Sequence, residues 1–140
     1  MKIKMAVGVV AVIGLMGNAY AATATCPSID KISQKPMAGG GFEYFAQGPT
    51  GSTQKWTGEN QQAQESYLKD STFTDANYKE STKAVICTYE GEGDAGVRVV
   101  LKEFNDFKPA TNSWNAEFCK NADITKCQFK YSTLTEPQKS

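Results

Sequence analysis

Strictly alternating and β-branched apolar positions are densest between Lys83 and Phe104, KAVICTYEGEGDAGVRVVLKEF. Two apolar segments there flank EGEGD, a glycine- and acid-rich loop, which is the composition of a β-hairpin. A three-residue loop Glu92-Gly93-Asp94 sets Val85, Cys87 and Tyr89 opposite Leu101, Val99 and Val97. These six side chains share one face, because side chains alternate along a strand. The other face pairs Ile86 with Val100 and Ala84 with Lys102, so it is only partly apolar.

The same reading carries along the chain. Ile29 to Gln34 predicts a short strand, broken by Lys35-Pro36-Met37-Ala38 and the triple glycine Gly39–Gly41. Phe42 to Ala46 predicts a strand with one buried face, and Gly48 to Ser52 a turn. Trp56 sits in a short extended piece, KWTG. Asn60 to Lys69 favours helix, with Asn60 as cap and Ala63, Tyr67 and Leu68 on one side. Phe73 to Lys79 predicts another strand. Trp114 and Phe118 stand at helical spacing, and Ile124 to Tyr131 alternates as a last strand. Many short strands separated by turns predict a mainly β domain, a small antiparallel sandwich or open barrel with one or two short helices. An α+β layout is the alternative.

The N-terminus changes the picture. Lys2 and Lys4 precede an uninterrupted apolar run from Met5 to Met16, and Ala19-Tyr20-Ala21 offers a small-x-small cleavage site. This predicts a secretory signal over residues 1–21. The apolar run is short for a bilayer span, so no stable membrane span is expected after cleavage. A single domain over 22–132 and a polar tail over 133–140 follow. Removing Lys2 and Lys4 from 15 basic residues leaves 13 against 15 acidic ones. That balance gives no reason to expect nucleic acid as a partner.

Four cysteines in an exported chain predict two disulfides. Three connectivities are possible. The polar loop between Cys119 and Cys127 favours a local bridge, with Cys26 then tied to Cys87.

Histidine is absent, which removes Ser-His and Cys-His couples, and there is no G-x-S-x-G or C-x-x-C motif. The glycine stretches lack phosphate-loop spacing. The expectation is a protein without enzymatic activity or cofactor. A glycan hydrolase built on paired carboxylates is the residual enzymatic reading. Glu90, Glu92 and Asp94 alternate with glycines and offer hard oxygen ligands for Ca²⁺, although a solvated hairpin tip is the preferred reading. The aromatic residues Tyr44, Trp56 and Trp114 are candidate interface anchors if exposed, and core residues otherwise.

Cys26-Pro27, Trp56-x-Gly58 and Val85-Ile86-Cys87-x-Tyr89-x-Gly91, behind a signal peptide, resemble the EirA family. Those are small periplasmic proteins associated with the Dot/Icm type IV secretion system of intracellular bacteria. The resemblance implies a non-enzymatic accessory in the periplasm of a Gram-negative bacterium with protein partners in the cell envelope. It carries no catalytic residues across, and the pair Cys119 and Cys127 departs from the pattern. The chain also resembles small periplasmic lysozyme inhibitors, without a clear match to their inhibitory motif. That likeness implies inhibition of a lysozyme-like hydrolase.

Overall fold

The computed structural model describes residues 22–135, and the expected signal over 1–21 lies outside the described residues. Thirteen strands run in order among these residues. They are β1 (Ala22–Ala24), β2 (Ser33–Pro36), β3 (Phe42–Gln47), β4 (Lys55–Asn60), β5 (Thr72–Lys79), β6 (Ala84–Glu90) and β7 (Gly96–Leu101). After these come β8 (Phe104–Asn105), β9 (Lys108–Pro109), β10 (Trp114–Asn115), β11 (Phe118–Lys120), β12 (Phe129–Tyr131) and β13 (Thr133–Leu134). One α-helix, α1 (Ser66–Asp70), precedes β5, and 3₁₀ turns occupy Ile29–Lys31 and Ile124–Cys127.

The main body is an open eight-stranded antiparallel sheet in the order β10-β11-β5-β6-β7-β4-β3-β2. A three-stranded sheet β1-β12-β9 and the pair β13-β8 complete the mainly β architecture. The β6–β7 hairpin lies at the centre, with Val85, Cys87 and Tyr89 opposite Leu101, Val99 and Val97 as their alternation requires. All six are buried. Gly91 N–H donates to the Ala95 carbonyl at 3.0 Å and closes the three-residue tip. Gly93 takes φ +64° there, a conformation that favours glycine. Ala84 pairs with Lys79 of β5, while β7 ends at Leu101 before an Ala84–Lys102 pair forms.

The core lies against one face of the large sheet. Phe104 is its centre, with ring centroids 6.0 Å from Trp56, 5.1 Å from Phe129 and 5.0 Å from Tyr131. Edge-to-face and tilted contacts of this kind add to the burial of apolar area. Two disulfides staple the layers. Cys26–Cys87 ties the N-terminal segment to the middle of the sheet, and Cys119–Cys127 ties β11 to the second 3₁₀ turn. The Tyr89 hydroxyl donates to the Pro27 carbonyl at 2.5 Å beside the first bridge.

Several local expectations give way to long-range pairing. The strand expected over Ile29 to Gln34 begins only at Ser33, after a 3₁₀ turn, and continues through Pro36. Pro36 is tolerated because β2 is a sheet edge, where a missing N–H costs no ladder bond. Asn60 caps no helix. It ends β4 opposite Phe42, and the helix is confined to Ser66–Asp70. Trp114 and Phe118 belong to a tight β-turn hairpin reversed at Ala116, φ +56°, not to a helix. Ile124–Cys127 is a 3₁₀ turn, so the last expected strand shrinks to Phe129–Tyr131. Thr133–Leu134, expected to be tail, pairs with Phe104–Asn105.

Candidate functional site

The sequence-derived interface residues are not presented to solvent. Tyr44, Trp56 and Trp114 are 1%, 2% and 9% exposed, so all three are core residues and cannot anchor a partner from the folded surface. Trp114 Nε1 donates to the Gln128 carbonyl at 2.9 Å, which satisfies its polar end internally. Among the described residues no group of three or more Cys, Asp or Glu converges as metal ligands, and Glu90, Glu92 and Asp94 stay apart. The four cysteines are all brought together in pairs, and none is free.

A different feature emerges at the β2 edge. A groove of about 900 Å³ opens between the segment Ile29–Gln34 and α1. Ile29, Ile32 and Leu68 supply its apolar lining, and Asp30, Glu65 and Lys69 its charged rim. It is formed because the 3₁₀ turn sets Ile29 and Ile32 toward the core edge while α1 lays Leu68 beside them. Gln34 bridges the two walls, its Nε2 donating to the Glu65 carbonyl at 3.1 Å.

The polar groups here are incompletely paired. Gln34 Oε1 and the Tyr44 hydroxyl are buried without a hydrogen-bond partner. These residues are directly opposite each other across β2 and β3. A buried polar group left unmatched costs about 1–3 kcal/mol; of the two, Gln34 belongs to the groove lining, while Tyr44 is enclosed in the core. The backbone adds to this. Met37 N–H donates to the Gly41 carbonyl, so by antiparallel alternation the Gln34 backbone N–H and C=O point away from β3, toward the open edge.

Charge at the rim is held by local bonds. The Ser28 hydroxyl donates to Asp30 Oδ1 at 2.6 Å, and this bond foremost lowers the Asp30 pKa below the ordinary carboxylate value. Burial, then the neighbouring Tyr67, pushes the Tyr44 hydroxyl upward.

Burial likewise raises Tyr78, Tyr89 and Tyr131 above the ordinary tyrosine value of 10.0. In the unfolded chain these phenols ionise first, so above their unfolded pKa the folded state holds more protons and loses stability as pH rises. Stability is expected to hold up to about pH 10 and to decline steadily above it. Denaturation midpoints measured across that range, alongside tyrosinate absorbance, check this. Full ionisation of all tyrosines without any fall in the midpoint would refute it.

No sequence signal marked the groove. The pattern puts Leu68 on one helix face with Tyr67 and Ile29 in a strand, but their meeting depends on segments more than thirty positions apart. A family model described as "Protein of unknown function (DUF3757)" matches residues 21–130. No curated protein and no solved structure matches the chain.

Proposed function

We propose, for a chain that belongs to the DUF3757 family, whose description names no activity, a role as a non-enzymatic protein-interaction module. It works outside the cytoplasm, in the periplasm, as an accessory to an envelope or secretion system, and it recognises an extended segment of a protein partner. The observation that carries this reading is the β2 edge with its adjoining groove. An incoming strand would find the Gln34 backbone N–H and C=O for main-chain pairing, and Ile29, Ile32 and Leu68 for an apolar side chain. Addition of a strand to a sheet edge takes affinity from the backbone and specificity from such pockets. The unpaired Gln34 Oε1 would accept a hydrogen bond from the same segment.

Two disulfides suit an oxidising compartment, and no helix among the described residues is long and apolar enough to cross a membrane. The address and the likeness to EirA-type periplasmic proteins motivate the choice of partner class.

A photo-crosslinking residue at Lys69, on the exposed rim, tests this in cells. Capture of one defined envelope or secretion protein is expected, with loss of at least tenfold of that product when Gln34→Leu removes the acceptor. Equal capture by the variant, or crosslinking confined to abundant bystanders, would defeat the reading.

A further inference from the structure

The outer face of the eight-stranded sheet carries a row of side chains, one per strand, that reads nearly the same from either end. Registers join them without a break: Ser33 to Phe45, Phe45 to Thr57, Thr57 to Val100, Val100 to Ile86, Ile86 to Asn77, Asn77 to Phe118 and Phe118 to Asn115. Outward from the β6–β7 centre, each half runs aliphatic, polar, phenylalanine, polar. The row lies on the face opposite the core. Its immediate neighbours along the strands, such as Tyr44, Trp56, Val99, Cys87, Ala76 and Cys119, are buried. Phe118 is 42% exposed, and Phe45, Ile86 and Val100 are only partly covered.

A two-fold axis parallel to the strands and passing between β6 and β7 exploits this pattern. It places Ile86 of one copy on Val100 of the other, Asn77 on Thr57, Phe118 on Phe45 and Asn115 on Ser33. Every contact is made twice, as an isologous interface requires. We infer that this face is the interface of a homodimer, with the sheets packed face to face about the β6–β7 axis. This goes beyond the partner-binding role of the β2 groove and does not depend on it.

The neighbouring row supports the same occupant. It contains Glu43 on β3 and Lys120 on β11, both exposed, and the axis sets each against the other's counterpart at both ends. Glu59 meets Asp75 in that row, a like-charge pair that the interface has to carry at both ends. On the opposite flank Lys55 faces Lys79, two exposed side chains whose stems let the ammonium groups turn to solvent. Seven strand spacings make the row about 34 Å long, and with both flanking rows it is about 14 Å wide. The footprint is then about 500 Å² per copy, and about 1,000 Å² in total, the lower bound for a specific interface. Aligned sheets cross at about 30°, which offsets the phenylalanines, one strand in from the row's ends, by about 6 Å, within reach of long side chains.

Sedimentation equilibrium of the oxidised full chain, up to about 200 µM, is the test. A reversible monomer–dimer equilibrium is expected. Phe118→Asp should weaken it at least tenfold with an unchanged unfolding midpoint for the monomer. Glu43→Lys and Lys120→Glu should each weaken it about tenfold, because the pair occurs twice, and the double exchange should restore it to within about threefold. Three results would overturn the inference: a monomer at every concentration, a dimer indifferent to Phe118→Asp, or a double exchange that restores nothing. A crosslink from position 118 to a different protein in place of a second copy would overturn it as well.

Discussion

Removing the long disulfide is expected to cost more stability than any other covalent change in this protein. The paired substitution Cys26→Ala and Cys87→Ala opens a bridge of sequence separation 61, and Cys119→Ala with Cys127→Ala opens one of separation 8. Loop-closure entropy assigns about 4 kcal/mol to the first and about 2.5 kcal/mol to the second. The structure widens the gap. All four cysteines are buried, but Cys26 in addition holds the segment that carries Pro27 to the Tyr89 hydroxyl. The local bridge spans a surface turn that keeps its own bonds, with Asp123 accepting from Thr125 N–H and hydroxyl. Cys87→Ser alone should be worse than Cys127→Ser by about 1–2 kcal/mol, because it opens the longer loop, while both positions are fully buried and leave a hydroxyl in the core alike. Urea unfolding of the variants beside the oxidised parent measures the order. Equal losses, or a greater loss from the local bridge, would contradict it.

Phe104→Ala is the largest expected effect from a single packing change. Its ring is wholly buried and touches Trp56, Phe129 and Tyr131, which belong to β4 and β12 on opposite sides of the core. Truncation removes the ring and leaves a cavity that three rigid aromatic neighbours fill poorly, so about 3–5 kcal/mol is expected to be lost. Domains of this size have about 5–15 kcal/mol in total, so the variant should sit near the edge of folding. Phe107→Ala is the comparison: its ring stacks on Tyr78 at 4.1 Å but is only partly buried, and its loss should cost clearly less. A Phe104→Ala midpoint within error of the parent would show that Trp56 or Tyr131 moves in to fill the space.

How far such features were legible in the sequence depended on the range of the forces that make them. The β6–β7 hairpin was readable to the register, because Val85, Cys87 and Tyr89 on one side and Val97, Val99 and Leu101 on the other define it within a few residues. Phe42–Gln47 and Thr72–Lys79 were readable for the same reason. The alternative α+β layout does not describe the result, an open antiparallel sheet with one short helix among the described residues. Trp114 and Phe118 misled because helical spacing between two aromatic residues is also what a tight hairpin places on opposite faces. The neighbouring pairing of β11 with β5 decided the outcome. Asn60 misled because a good capping residue is equally suited to the end of a strand, where its Oδ1 accepts from Gln62 N–H at 2.9 Å.

The adjacency of β4 and β7 was beyond local reading. It rests on Gly58, where a Cβ would fall on the Arg98 carbonyl oxygen, so the two backbones meet there only because the side chain is missing. The groove was hidden likewise, since Gln34 and Glu65 meet only in the folded chain. Buried Tyr44, Trp56 and Trp114 show the reverse limit: aromatic residue type marks value to the protein without telling core from contact.

The two bridges join cysteines consecutively along the chain, first with second and third with fourth. A polypeptide delivered N-terminus first into an oxidising space meets its native partners in that order. Cys26 waits for Cys87, the next thiol to emerge, and Cys119 then finds Cys127 eight residues on. For a chain exported in this way, as proposed above, oxidation in order of emergence gives the native connectivity. Maturation of this protein should need a thiol oxidase and make little demand on a disulfide isomerase, whereas refolding of the full reduced chain, with all four thiols present at once, exposes it to the two scrambled pairings.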